Sequence, residues 1–161
     1  MPILTCILQD RRAIMSKKTL QIVLAILSLI PILTGGLDLI LGAQSVNTVG
    51  GSLPLSALND VVLNSQIRFL AAIWFGMGMI LYWVIPSIDR QTTLFRLLMG
   101  GIFIGGIGRI SSAILVGIPP VQFVAVIVLE LIGVPILVLW QSLISKSNGL
   151  TEHPTIQETP R

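Results

Sequence analysis

Residues 94–140 read LFRLLMGGIFIGGIGRISSAILVGIPPVQFVAVIVLELIGVPILVLW, which is two apolar runs joined by the residues GIPP at 117–120. Each run has about 23 residues, and about 20 apolar helical residues cross the roughly 30 Å hydrocarbon core of a bilayer. Backbone groups in lipid must hydrogen-bond within their own segment, which favours helices over open strands. Because the turn is so short, the stretch predicts two antiparallel transmembrane helices packed against each other.

Two more apolar runs of similar length precede this stretch. The four predicted helices cover about residues 20–42, 63–85, 94–116 and 121–144. Hydrophobic residues make up 53% of the 161-residue chain and charged residues 11%, whereas soluble domains average about 25% charged residues. This composition argues against an ordinary soluble enzyme and against a disordered chain. We expect an all-α integral membrane protein, a four-helix transmembrane bundle with antiparallel up-and-down topology.

The regions outside the bundle are more polar. Residues 1–18 form an N-terminal extension, residues 19–144 form the transmembrane domain, and residues 145–161 form a polar tail with two prolines, which predicts disorder. From Met15 the chain reads MSKKTLQIVL, a composition typical of the start of a membrane protein with a cytoplasmic N-terminus. Two interpretations stay open. Translation starts at Met15, which we favour, or it starts at Met1 and the extension lies along the membrane surface.

Lysine and arginine flank one end of the predicted bundle. The connections 43–62 and 117–120 contain none. The basic residues near the helices are Arg11, Arg12, Lys17, Lys18, Arg90, Arg96 and Lys146. The positive-inside rule therefore places both termini in the cytoplasm. Tyr82, Trp83 and Trp140 fit an aromatic belt at that interface, but Trp74 lies near the middle of the second helix.

Several kinds of chemistry are excluded by what the chain lacks. Cys6 is the only cysteine and His153 the only histidine, so an internal disulfide, a thiolate or histidine metal site and a haem held by two histidines are excluded. We predict no metal and no cofactor. The net charge is only +3, and the basic residues flank apolar runs, so we expect no nucleic-acid binding. No helix serine has a histidine or lysine base nearby, so we predict no catalytic residues.

Each predicted helix carries one charge in the half away from the basic flanks. At a rise of about 1.5 Å per residue, Asp38, Arg68, Arg109 and Glu130 lie roughly 6, 7, 10 and 14 Å from the nearest helix end. A charge near the bilayer centre costs about 2.5–3.5 kcal/mol, so the four charges should be paired. We expect Asp38 to pair with Arg68 and Arg109 to pair with Glu130, because an arginine fork grips a carboxylate well.

Two interpretations of this charge cluster are nearly balanced. Buried ion pairs can serve only to fix register and topology. Intramembrane ionisable residues are also a default sign of function, here a pocket that binds a polar or amphiphilic head group. A proton or ion path is a weaker alternative. The glycines Gly101, Gly105 and Gly106 predict a helix-packing face, within the bundle rather than between two copies.

The chain also resembles a known family. The runs LNSQIRFLAAIWFGMGMILYW, LFRLLMGGIFIGGIGRISSAILVGIPP and VLELIGVPILVLWQ are similar to the bacterial membrane proteins of domain-of-unknown-function family 4345, over about Leu20 to Gln141. The most specific parts are SQIRFLAAIW, GIGRI and LELIGVP. The resemblance implies four spans and a bacterial cytoplasmic membrane. It implies no activity, and Arg68, Arg109 and Glu130 match its motifs without an established role.

These observations favour a non-enzymatic function. We expect a small multi-pass membrane protein that binds a lipid or another amphiphilic ligand, or a membrane protein partner or second copy, through the charge cluster. Two alternatives remain: a membrane enzyme acting on a lipid or isoprenoid-like substrate with Glu130 or Asp38 as acid–base, and a small transporter.

Overall fold

The computed structural model describes the backbone of residues 2–149 and the side chains of residues 16–145. Within that range the chain is helical and contains no strand. The α-helices are α1 (Pro2–Leu41), α2 (Gln44–Thr48), α3 (Leu55–Leu58), α4 (Val61–Val84), α5 (Thr92–Leu115), α6 (Val121–Val128) and α7 (Val134–Gly149). A 3-10 turn, Ile85–Ser87, follows α4, and a π-helical segment, Leu129–Gly133, joins α6 to α7.

Four segments are long and apolar enough to cross a membrane. They are Ser16–Leu41, Val61–Ser87, Thr92–Leu115 and Val121–Ser145. The fourth segment consists of α6, the π-helical segment and α7, which follow one another without a break in the helix. These segments confirm the predicted four-helix transmembrane fold, and their ends differ from the predicted ends by only a few residues.

The flanking segments are more helical than the sequence analysis expected. Residues 2–18 form the first part of α1. Helix α7 extends to Gly149, so the disorder predicted from residue 145 is wrong for residues 145–149. Residues 150–161 of the predicted tail lie outside the described residues. The connection 43–62, predicted as a loop, contains α2 and α3, and Asp60 caps α4 by accepting a hydrogen bond from the Leu63 amide at 2.7 Å.

The buried apolar core lies toward one end of the bundle, which we call the closed end. Its side chains come from all four spans: Leu20, Leu24, Leu81, Val84, Ile85, Ile88, Phe95, Leu98, Met99, Val134, Leu137 and Ile144. We call the opposite end, with residues 43–60 and 116–120, the loop end. The predicted charge cluster belongs to the loop-end half.

Polar contacts join the spans to one another at the closed end. Lys17 Nζ lies 2.8 Å from Asp89 Oδ2, which ties the start of the first span to the turn between α4 and α5. The Gln141 amide donates to the Ile88 carbonyl at 3.1 Å and to the Thr92 hydroxyl at 2.9 Å. One of these bonds satisfies the Ile88 carbonyl, which lies between two helices, so the closed end is held by specific pairing as well as apolar packing.

The first two spans approach most closely, and glycines permit it. A Cβ on Gly35 would lie 2.8 Å from the Phe75 backbone nitrogen, and a Cβ on Gly78 would lie 2.9 Å from Pro31 Cγ. Small residues let transmembrane helices gain backbone-to-backbone van der Waals contact. The sequence analysis missed this interface because it weighted the glycine-rich third span instead.

The predicted packing glycines of α5 separate into different environments. A Cβ on Gly106 would lie 2.9 Å from Glu130 Cβ, and one on Gly101 would lie 3.3 Å from Met77 Cε. Gly105 faces open space with no atom within 4 Å of such a Cβ. Gly106 thus lies at a close contact with the fourth span, whereas Gly105, one residue away, lies on a different side of the helix.

Candidate functional site

Glu130 lies where the fourth span departs from α-helical geometry. The amide of Val134 donates to the Leu129 carbonyl, five residues earlier, which is the π-helical spacing. Pro135 follows directly and has no amide hydrogen to complete an α-helical ladder. The π-helical turn, Leu129–Gly133, therefore lies just before the proline. Such turns occur frequently at functional sites.

Glu130 and Arg109 face each other across the contact between α5 and the fourth span. Arg109 Nε lies 3.2 Å from Glu130 Oε2, and the two side chains are 40% and 5% exposed. The contact exists because Gly106, one turn before Arg109, lets the backbone of α5 approach Glu130. Arg109 therefore contacts Glu130 through one nitrogen rather than through the two-pronged fork that the residue types favoured.

The geometry leaves the buried carboxylate incompletely satisfied. Oε2 of Glu130 is fully buried and has no hydrogen-bond partner, since the guanidinium lies at ion-pair distance without hydrogen-bond alignment. A buried polar atom without a hydrogen bond costs about 1–3 kcal/mol, and more when charged. Native structures rarely retain such an atom without a reason.

The Glu130 side chain borders an apolar cleft among the four spans. The cleft encloses about 60 Å³ and is open to the surroundings of the bundle. Its lining residues are Leu24, Leu27, Ile30, Pro31, Trp74, Leu81, Met99, Ile102, Val126, Leu129, Glu130, Val134 and Leu137. Glu130 is the single charged residue among them. An apolar space with one anchoring polar group is the usual form of a small-ligand site.

Trp74 and Thr34 form a polar contact at the edge of this cleft. The indole Nε1 of Trp74 donates to the Thr34 hydroxyl at 3.0 Å, and that hydroxyl donates to the Ile30 carbonyl at 2.7 Å. Sequence reasoning noted that Trp74 is too deep for the aromatic belt but did not assign it to a site. The position of Trp74 deep in the span could have indicated a polar site, because an indole N–H in apolar surroundings needs a hydrogen-bond acceptor.

A second cavity lies near the loop end. It encloses about 120 Å³ and is lined by Arg109, Ser112, Ala113, Gly117, Pro119, Phe123 and Ile127. Arg109 borders this cavity whereas Glu130 borders the apolar cleft. The ion pair therefore lies between the loop-end cavity, which contains Arg109 and Ser112, and the apolar cleft.

Arg68 does not pair with Asp38, which corrects the second predicted ion pair. Its Nη1 donates to the Leu39 carbonyl, and its Nε donates to the Asn64 side chain at 2.9 Å. Carbonyls in the last turn of a helix have no intrahelical donor, and the helix dipole makes that end negative. Arg68 therefore serves as a cap for α1. Among the residues described with side chains, the ion pairs are Lys17–Asp89 and Arg109–Glu130, and Asp38 takes part in neither.

The four predicted site residues thus do not form one cluster. The structure brings together Arg109 and Glu130 and assigns Arg68 to the end of α1. The described residues also contain no group of three histidine, cysteine, aspartate or glutamate side chains positioned to hold a metal ion. The chemistry of the site is that of one buried carboxylate, one half-exposed guanidinium and an apolar space.

Comparison with known proteins gives one match. A family model described as "Domain of unknown function (DUF4345)" matches residues 19–141, which include all four spans and both members of the ion pair. No curated protein matches the chain. No solved structure matches it either. Since the family model covers most of its length, the chain belongs to the DUF4345 family.

Proposed function

We propose that this multi-pass membrane protein binds an amphiphilic ligand, with the apolar chain of the ligand in the cleft and its polar group at Glu130. The observation that carries the proposal is the Glu130 side chain, which is 4% exposed, borders the cleft and is paired with Arg109 through one guanidinium nitrogen.

The form of the ion pair supports binding over a purely structural role. A pair kept for structure is stable only when its geometry is excellent and its remaining hydrogen-bonding groups are satisfied. Here the contact uses one guanidinium nitrogen, and Arg109 is 40% exposed. The cost of holding Glu130 in this state is offset when a ligand completes the site.

The lining of the cleft supports a hydrocarbon occupant. Twelve of its thirteen lining residues carry apolar or aromatic side chains. A cleft among transmembrane helices is also surrounded by lipid, so chain-bearing molecules are present at high local concentration. A polar solute would lose its hydration in this space without compensation.

Filling the cleft should abolish binding, which tests the proposal. Val126 lines the cleft, whereas Val124 on the same helix is 37% exposed and does not line it. Val126→Trp should reduce the amphiphile that copurifies with the protein, and Val124→Trp should not. Native mass spectrometry in a mild detergent measures both. Absence of any bound amphiphile on the wild-type protein, or equal binding by both variants, would contradict the proposal.

The alternative of a lipid-modifying enzyme differs in what it requires. It uses Glu130 or Asp38 as acid–base, and Asp38 is not among the residues that line the cleft. Glu130 is the one carboxylate at the cleft, and no second titratable side chain among the described lining residues would return the proton. The geometry therefore favours binding without turnover.

A further inference from the structure

We infer that the loop-end cavity is a second binding site, which takes a phosphate group at Arg109 and Ser112. This inference goes beyond the proposed function, because it concerns a different cavity and holds whether or not the cleft takes a chain. The phosphate comes either from solution or from a lipid head group, and the two sources are separable by experiment.

Arg109 supplies the charge of this site. Its guanidinium carries five N–H donors in a fixed fork, and its contact with Glu130 is through Nε, at 3.2 Å. The terminal nitrogens Nη1 and Nη2 make no hydrogen bond to any residue that the structure describes. The side chain is 40% exposed and lines the cavity. Two terminal nitrogens therefore remain for an oxyanion, which an arginine fork binds through two parallel hydrogen bonds.

The negative charge of Glu130 lies outside this cavity. Glu130 is 5% exposed at its side chain and lines the cleft rather than the loop-end cavity. The cavity lies where α5 ends and α6 begins, and the partial charges of these two helix ends have opposite signs and offset each other. The charge that an anion contacts in the cavity is therefore that of Arg109.

Ser112 supplies a third donor, which favours phosphate over a carboxylate. It lines the cavity three residues after Arg109, a spacing that makes the two side chains neighbours on a helix surface. The hydroxyl of Ser111 donates to the Ile107 carbonyl at 3.0 Å, whereas the Ser112 hydroxyl makes no hydrogen bond within the described part of the chain. A tetrahedral phosphate has oxygens for both guanidinium nitrogens and for this hydroxyl. A carboxylate has only two oxygens, and the fork takes both.

The size and position of the cavity fit a phosphate group. It encloses about 120 Å³, roughly four times the liquid volume of one water molecule. That space holds a phosphate but not a hydrocarbon chain as well, so the chains of a bound lipid would stay in the bilayer. Gly117 and Pro119, in the turn between two spans, also line the cavity. A turn between transmembrane helices lies at the membrane interface, where lipid phosphates also lie.

Titration with inorganic phosphate tests the site on the full-length chain. The protein is held in dodecyl maltoside, a detergent without phosphate, and the phosphorus NMR line width reports binding. Arg109→Lys keeps a positive charge beside Glu130 but loses the fork, so it should weaken binding about tenfold. Ser112→Ala should weaken it about fivefold. The matched controls Arg68→Lys and Ser111→Ala lie outside the cavity and should bind like the wild type.

A pair of lipids identifies the source of the phosphate. Dioleoyl phosphatidic acid and dioleoylglycerol differ only in the phosphate group, and a ligand of the folded state raises the melting temperature. If a lipid is the source, phosphatidic acid raises the melting temperature further than dioleoylglycerol does, and Arg109→Lys removes this difference. If the source is solution, inorganic phosphate binds and the two lipids have equal effects.

Several results would overturn the inference. Acetate that binds as tightly as phosphate would remove the case for a tetrahedral group. A lack of response both to inorganic phosphate and to the phosphate of phosphatidic acid would show that the cavity binds neither. Ser112 is exposed, so Ser112→Ala keeps the fold and decides the result even where Arg109→Lys is unstable; binding equal to that of Ser111→Ala would overturn the site.

The two proposals fail separately. Val126→Trp fills the cleft and should leave the response to phosphate unchanged, because Val126 does not line the loop-end cavity. Loss of phosphate binding in Ser112→Ala should likewise leave the copurifying amphiphile in place.

Discussion

Gly106 and Glu130 are in direct contact, so close that a Cβ on Gly106 would lie 2.9 Å from Glu130 Cβ. Real Cβ atoms essentially never lie that close, so a residue other than glycine at 106 would push α5 away from the π-helical segment. The same approach brings Arg109 within reach of Glu130. The lack of a side chain at Gly106 therefore determines both the packing of the third span on the fourth and the ion pair at the cleft.

We predict that Gly106→Ala destabilises the protein by about 1–3 kcal/mol, the usual cost of overpacking a close contact. The matched control is Gly105→Ala, since a Cβ at that position meets no atom within 4 Å. Thermal unfolding in detergent, followed by circular dichroism, measures both. Equal melting temperatures for the two variants would show that the α5 contact is looser than the structure indicates.

The Arg109–Glu130 pair gives the second prediction. Removing one partner leaves an uncompensated buried charge, which typically costs about 3–5 kcal/mol. Arg109→Ala and Glu130→Ala should each strongly reduce the folded fraction, and Arg109→Met with Glu130→Leu should recover much of that loss. Arg109→Ala should cost more than Glu130→Ala, because it leaves the buried Glu130 carboxylate unpaired, whereas Arg109 is half-exposed and borders the loop-end cavity.

Thermal stability in detergent, measured together with the amount of bound amphiphile, distinguishes a binding role of the Arg109–Glu130 pair from a structural role. A stable double variant that loses its amphiphile would identify a binding site, whereas a stable double variant that keeps its amphiphile would make the pair structural. Single variants as stable as the wild type would show that both groups are hydrated rather than paired.

The third prediction separates Arg68 from Asp38, which the sequence analysis had paired. Arg68→Ala removes the donor to the Leu39 carbonyl at the end of α1 and should cost about 1–2 kcal/mol, as loss of a charged hydrogen bond at a helix end does. Asp38→Asn should change stability by less than about 0.5 kcal/mol. If both single variants lower the free energy of unfolding by the same amount, and the double variant lowers it no further, then Arg68 and Asp38 are coupled and the separation is wrong.

The comparison of Arg68 with Arg109 shows where sequence reasoning succeeds. Helix length and apolar composition predicted the four spans, because the bilayer imposes both quantities on any sequence that crosses it. Depth alone also paired Arg109 with Glu130, on adjacent antiparallel helices. The same reasoning failed for Arg68, because its nearest acceptor is a backbone carbonyl, and a sequence does not display unpaired carbonyls at the end of a helix.

The cleft shows a second limit of sequence reasoning. Its walls come from all four spans, and the spacing of apolar residues does not distinguish a wall of a cavity from a lipid-facing side of a helix. Gly35 and Gly78, which bring the first two spans together, also look no different in sequence from Gly105, which contacts nothing. Rotation of each helix about its own axis decides these cases, and packing rather than composition determines that rotation.

The fourth prediction concerns pH and the closed end. Partial burial raises the pKa of Asp89, but hydrogen bonds from Lys17 and from its own backbone amide, with the charges of Lys17 and Arg90, outweigh burial and hold this pKa below its ordinary value of 3.8. A carboxyl with a depressed pKa stabilises the folded state above its unfolded pKa. That contribution is lost as pH falls below about 3.8 and through the folded pKa.

Asp89→Asn should therefore be less stable than the wild type at neutral pH, and the difference should shrink as the pH is lowered below 3.8. The effect at neutral pH should be about 1 kcal/mol or less, as expected for a pair that is partly open to solvent. Melting temperatures of the two proteins between neutral pH and acid provide the test. A difference that grows on acidification would mean that the Asp89 carboxylate is not stabilised by Lys17.

The last prediction concerns orientation in the membrane. Lysine and arginine flank the closed end, and the segments 43–62 and 117–120 at the loop end have none, so the positive-inside rule predicts that the closed end faces the cytoplasm. In a Cys6→Ser background, single cysteines at Ser52 and Ile118 should react with an impermeant thiol reagent added outside intact cells. A cysteine at Gln91, in the turn before α5, should react only after the membrane is opened. Labelling of position 91 from outside would reverse the topology, and Glu130 would then be reached from the cytoplasmic side.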